Sequence, residues 1–222
     1  MAPTARSITL AIVVVTGLAS ARPADACLWR YGTNVHGERV RVGRGPGGEP
    51  ADYVRRFTDR GHHREMADAW RGPAPAPDAD FTLRSDHAVA LIYQGHVAEA
   101  VPILESIERQ RPGEYAIAAN LGTAYELLGQ DQQARRWIAE GLRRNPDGHH
   151  GTEWLHLRIL DAKLALAAQP DWLLTHSVLG VDFGSGPVPA QPATWPAGQD
   201  AARTQRALEY QLGERTGFVA PP

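Results

Sequence analysis

The sequence predicts a mostly α protein: a short α-solenoid of two helix-turn-helix repeats plus capping helices. A small N-terminal strand or hairpin and an irregular Pro/Gly-rich C-terminal segment flank it. Three observations predict this. From Phe81 to about Ala168 the apolar residues keep helical spacing, broken at Gly95, Pro112-Gly113, Gly129-Gln130-Asp131 and Asn145-Pro146-Asp147-Gly148. Those breaks recur, because a shift of 34 residues lays Gly95 on Gly129, Ala100 on Ala134, Arg109 on Arg143 and Pro112 on Pro146. Beyond Gln169-Pro170 the periodicity stops, and residues 180–198 carry four glycines and four prolines.

In chain order, residues 1–26 read as an export signal. Arg6 supplies the positive end, Ile8 to Ala19 an apolar run of 12, and small residues allow cleavage after Ala21 or Ala26. The run is short of the roughly 20 residues that span a bilayer, and no later segment qualifies, so no transmembrane segment is expected in the mature chain. Export to the periplasm or beyond the cell follows. Cleavage after Ala26 leaves Cys27 first, the place of a lipid-anchoring cysteine. Ala24 and Asp25 depart from the aliphatic approach such an anchor uses, so the expectation is an unmodified Cys27. Residues 27–50 form the strand and loop segment, with turn formers at Gly32-Thr33-Asn34 and alternating Val40 and Val42. Residues 51–77 form a capping helix, broken at Gly61, and a Pro-Ala linker whose prolines hold it extended.

The repeat region is 78–169, with repeats at 81–114 and 115–148. In the second copy Gly122 and Ala134 are small where the two helices cross, Gly129 suits a positive-φ turn, and Pro146 ends the second helix. The first copy departs at His87, at Ile107 and at Pro102, which withholds one amide from its helix. A capping helix at 152–167 follows, with Thr152 as N-cap and a stripe of Trp154, Leu157, Leu160 and Leu164, broadened by Leu155 and Ile159 for packing on two sides. Residues 170–222 are a strap or tail with one helix at about 200–212.

Composition narrows the function. Of 222 residues 43% are apolar and 22% charged, a globular balance. A net charge of −2 gives no general attraction to nucleic acid, which is not expected as a partner. One cysteine excludes an intramolecular disulfide and a multi-cysteine zinc site. Gly43-x-Gly45-x-x-Gly48 matches a dinucleotide fingerprint in form, but Pro46 interrupts it and no βαβ unit follows, so it reads as a loop. The arginine pairs Arg55-Arg56, Arg135-Arg136 and Arg143-Arg144 have acidic residues nearby and read as solvated convex faces.

The histidines carry the most suggestive chemistry. His149 and His150 lead into a helix on which Glu153 and His156 share one face, so these four are the weak candidates for a metal site. His62, His63 and Glu65 would have to complete it. The favoured reading makes His149 and His150 solvated turn residues and Glu153 a charge favourable to a helix N-terminus. No His-Glu-x-x-His or Gly-x-Ser-x-Gly motif occurs. The expectation is a non-enzymatic protein with no cofactor.

A 34-residue helix-turn-helix period is the mark of tetratricopeptide repeats. With Cys27-Leu28-Trp29, His150-Gly151-Thr152-Glu153-Trp154, Leu179-Gly180-Val181-Asp182-Phe183 and Tyr210-Gln211-Leu212, the chain resembles exported bacterial tetratricopeptide repeat proteins of unassigned function. The chain end after Phe218 is short beside such proteins. In the wider family the first helix of each repeat lines a concave peptide groove. By position the resemblance implies Thr82, Ser85, Val89, Ile92 and Tyr93 from the first repeat as groove residues. From the second it implies Ala116, Ala119, Asn120, Thr123, Glu126 and Leu127. That surface suits an extended, weakly charged or apolar segment of another protein, or packing from the chain's own flanks. The leading expectation is a scaffold that binds a peptide segment or partner protein. The alternatives are a metal-dependent enzyme or metal carrier using Glu153 and His156, and a structural subunit of a cell-envelope complex.

Overall fold

The computed structural model describes residues 67–68, 70–184, 186, 192 and 194–217. The expected export signal, Cys27, the N-terminal hairpin, His62, His63 and Glu65 lie outside them. Helix α1 spans Phe81–Tyr93, α2 Val97–Gln110, α3 Tyr115–Leu127 and α4 Asp131–Arg144. The second pair therefore starts and stops 34 residues after the first. Helix α5 is Glu153–Ala168 and α6 is Ala201–Gly217. The described residues contain no strand, and none of their helices is long and apolar enough to cross a membrane.

The two repeats turn in the same way. After α1, Gly95 takes φ +84°, its amide donates to the Ile92 carbonyl at 3.0 Å and the His96 amide to Leu91 at 2.8 Å. After α3, Gly129 takes φ +71°, with Gly129 on Glu126 at 2.9 Å and Gln130 on Tyr125 at 2.9 Å. Both are Schellman closures, in which the left-handed residue lets two amides satisfy the helix's last carbonyls. Each helix then packs on its successor, from α1 to α5. Where α3 crosses α4, a Cβ on Gly122 would lie 2.4 Å from Ile138 Cδ1, and Ala134 is fully buried. Small residues there set the helix approach.

Leu104, Ile107, Ile117 and Leu121 fill the space between the repeats, Ile138 packs with Ala134 and Leu160 toward α5, and all five of these large α1–α4 side chains are fully buried. Each contributes about 1.5–3 kcal/mol by leaving water. Helix α2 continues through Pro102. His87 is buried against Trp70, ring centroids 5.0 Å apart, and burial holds its pKa below the usual imidazole value. Gln94 Nε2 donates to the Ala67 and Trp70 carbonyls, so these two residues lie against the first repeat.

Three expectations change here. Arg144 is not a solvated convex residue: its guanidinium lies between Glu108, at 2.6 Å, and Glu140, at 2.8 Å, and also donates to the Glu114 carbonyl. It clasps the second helices of both repeats. On α5 the buried side chains are Glu153, Leu155, His156, Leu160 and Ala162, whereas Trp154, Leu157 and Leu164 are partly exposed. Thr152 stands at the N-cap position but does not cap. Its hydroxyl donates to the His149 carbonyl at 2.7 Å instead.

Candidate functional site

The repeat period would start a third first-helix at residue 149. Instead His149, His150 and Gly151 take positive φ in succession, at 48°, 58° and 69°. Non-glycine residues rarely adopt this conformation, and such strain collects at sites where the surroundings enforce it. What enforces it here is a buried polar cluster. His149 is not a solvated turn residue: it is 1% exposed, and its Nδ1 lies 2.7 Å from Glu153 Oε2 and 2.8 Å from the Tyr115 hydroxyl. Gly148 makes room, because a Cβ there would fall 2.2 Å from the Tyr115 ring. His150 is exposed, as expected, and sets its ring edge-on to Tyr210.

Glu153 and His156 are both buried, but they serve different partners. His156 Nε2 is 2.7 Å from Oε2 of Glu126, in the last turn of α3. Glu126 also accepts from Lys163 at 3.3 Å and, through both oxygens, from Arg215 of α6 at 2.6 and 3.1 Å. Lys163 in turn reaches Asp131 at 2.5 Å. Burial alone would raise the Glu126 carboxyl. The hydrogen bonds and charges of His156 and Arg215 outweigh it and hold the group well below the usual carboxylate range. Burial likewise opposes ionisation of Glu153, and the His149 charge and hydrogen bond overcome it, so its pKa is lowered too. The result is two carboxylates with lowered pKa, Glu153 held by His149 and Glu126 by His156, Lys163 and Arg215.

Helix α6 closes this cluster. Gln211 Nε2 reaches the Thr152 hydroxyl at 3.3 Å, and the Tyr210 ring lies 5.9 Å from that of His149. Of the eleven groove positions, Ser85, Val89, Ile92, Ala116, Ala119, Asn120 and Thr123 are buried. Thr82, Tyr93 and Glu126 are half-buried and Leu127 is exposed. Nine consecutive residues of α1, Arg84 to Ile92, and nine of α3, Ala116 to Ala124, are buried, so both helices are covered all round. Among the described residues no group of three or more His, Cys, Asp or Glu is placed to hold a metal. A cleft of about 580 Å³ lies beside α5 between Trp154, Leu157, Trp172 and Val178, and touches none of the buried pairs.

Sequence reasoning placed Glu126, His149, Glu153 and His156 among its candidates and missed Tyr115, Lys163, Gln211 and Arg215. Tyr115 carried a signal, since it stands 34 residues before His149 and so at the equivalent repeat position. Arg215 is 89 residues from Glu126 and carried none.

A tetratricopeptide repeat family model matches residues 91–158, from the end of α1 into α5. No curated protein and no solved structure matches the chain. Repeats of this kind generally serve protein–protein contact. The duplicated helix pair and its duplicated glycine turns agree with the match: this part of the chain is a short α-solenoid similar to tetratricopeptide repeats.

Proposed function

We propose that the protein is an exported, non-enzymatic scaffold whose repeats bind a peptide segment or partner protein through their concave face. One observation carries the reading. Glu126, a groove position on α3, holds its charge at the concave side and is gripped in a fork by an arginine from a helix outside the repeats. The face thus has the chemistry to take a segment, and it exercises it on α6. Partners are proteins or peptides in the envelope or outside the cell, reached by cleavage of the export signal after Ala21 or Ala26.

The test is capture of partners by the full-length protein against a Tyr93→Ala/Leu127→Ala variant, with thermal melting of both. A partner lost by a variant that melts like wild type supports the groove. Equal capture by both overturns it. A second reading, a structural subunit of an envelope complex, is favoured by the exposed Leu173 and Leu174, the latter 81% exposed. It predicts partner capture abolished by Leu173→Ser/Leu174→Ser and untouched by the groove variant.

A further inference from the structure

We propose that α6 is a displaceable internal occupant of the concave face, and that the partner this face takes is a helical segment whose arginine replaces Arg215 on Glu126. This rests on the groove reading above and deepens it by naming the partner's chemistry, a helix with a cation rather than an extended apolar strand.

The ion cluster separates into a fixed and a removable part. His156 and Lys163 both stand on α5, which packs on α4 as part of the repeat body. They stay on Glu126 when α6 leaves. Arg215 is the part α6 brings, and its two parallel contacts to the two carboxylate oxygens are the fork that a guanidinium forms and an ammonium does not. A replacement must therefore carry arginine.

The attachment of α6 suits exchange. Its buried side chains are Thr204, Ala207 and Gln211, small or polar, while Leu212 is about half exposed. Its large residues Leu208 and Tyr210 are only partly buried, in contrast to the leucines and isoleucines that lock the repeats together. Residues 169–200 tether it, and the described ones form no α-helix, only the 3₁₀ turn Trp172–Leu174. The tether lets α6 leave without leaving the molecule.

The contacts also define the shape of the replacement. At about 100° per residue, Thr204, Ala207, Tyr210, Gln211 and Arg215 fall within an arc of roughly 140° on one side of α6. A competing helix presents a ring toward His149, a polar side chain to Thr152 one residue on, and arginine four residues after that.

The experiment titrates a fluorescein-labelled peptide of residues 201–217 into the full-length protein, wild type and Arg215→Ala/Gln211→Ala, reading anisotropy. The peptide should bind the variant about tenfold or more tightly than wild type, the weight of a charge-assisted pair no longer competing from within. The same peptide with Arg215→Ala should lose a similar factor. Hydrogen exchange on wild type supplies a readout that needs no variant: saturating peptide should speed exchange in α6 and leave α3 protected. Equal affinity for both proteins, indifference to the peptide's arginine, or unchanged α6 exchange overturns the proposal. Concentration-dependent dimers of the variant with exchanged α6 would give the face to a second copy and overturn the assignment to a different partner. Partner capture that depends on Tyr93 and Leu127 without binding of the peptide would sink this inference alone and leave the groove reading standing.

Discussion

His150→Gly should leave the protein as stable or somewhat more stable and His149→Gly should destabilise it, although both residues hold the same left-handed backbone. That conformation costs an L-residue roughly 1–2 kcal/mol, part of which glycine returns as greater freedom of the unfolded chain, about 0.5–1 kcal/mol. At His150 the side chain is exposed and its one ring contact is edge-on to Tyr210 at 5.6 Å. Losing that contact costs about 0.5 kcal/mol, so the net change lies between about 0.5 kcal/mol lost and 1 kcal/mol gained. At His149 the same relief meets a larger loss. Glu153 is fully buried and His149 is its hydrogen-bonded partner, and stripping one partner from a buried pair costs about 3–5 kcal/mol. A net loss of about 1.5–5 kcal/mol remains. Urea unfolding at pH 7, followed by tryptophan fluorescence with the slope checked for constancy, separates the two variants by about 3 kcal/mol, or roughly 6–12 °C in Tm. Stabilities within about 1 kcal/mol of each other would refute the buried pair, and a His150→Gly variant more than about 1 kcal/mol below wild type would refute the strain argument.

Four further outcomes are expected. Gly122→Ala pushes a Cβ to 2.4 Å from Ile138 Cδ1 and should cost about 1–3 kcal/mol; combined with Ile138→Ala the loss should fall below the sum of the single changes, and strict additivity in a double-mutant cycle would contradict the close approach. Arg144→Lys cannot keep the contacts to Glu108, Glu140 and the Glu114 carbonyl together, and a loss of about 1–3 kcal/mol by urea unfolding is expected, whereas a neutral change would mean that the clasp contributes nothing. The depressed carboxyl of Glu126 adds stability fully present above the unfolded carboxylate pKa, about 4.3, and lost as pH falls below it toward the folded value. Glu126→Gln should therefore flatten the stability profile below about pH 5, and parallel profiles would refute it. Burial depresses His87, so its neutral form is favoured in the fold and stability drops as pH falls below about 6.5; His87→Leu should remove that drop in unfolding curves at pH 7 and 5.5, and an unchanged drop would exclude His87 as its source.

The solenoid was legible because its determinants are local. Gly95 and Gly129 close their turns with amides from within six residues, and Gly122 and Ala134 announce a helix crossing by size. The cluster was half legible. His149 and Glu153 sit one helical turn apart, so their pairing was within reach of spacing. Their burial was not, since it depends on three successive left-handed residues, two of them histidines that sequence statistics place there rarely. Of the stripe expected on α5, Leu155 and Leu160 are buried but Trp154, Leu157 and Leu164 only partly, because the helix turns Glu153 and His156 inward to meet polar partners on α3 and the turn before it. Arg144 shows the same limit: its inner position is set by Glu108, 36 residues away.

The left-handed turn at 149–151 also decides how long this solenoid is. A third unit in phase would begin at residue 149, but α5 begins at Glu153, four residues late. Four residues rotate a helix about 40° beyond one full turn, so its faces no longer match the places α1 and α3 occupy in their repeats. The turn acts as punctuation: it ends the repeating geometry in the backbone itself. Lengthening the array by inserting another 34-residue unit is therefore expected to succeed between Gly113 and Glu114, where the period is intact, and to fail after Gly148, where it is not.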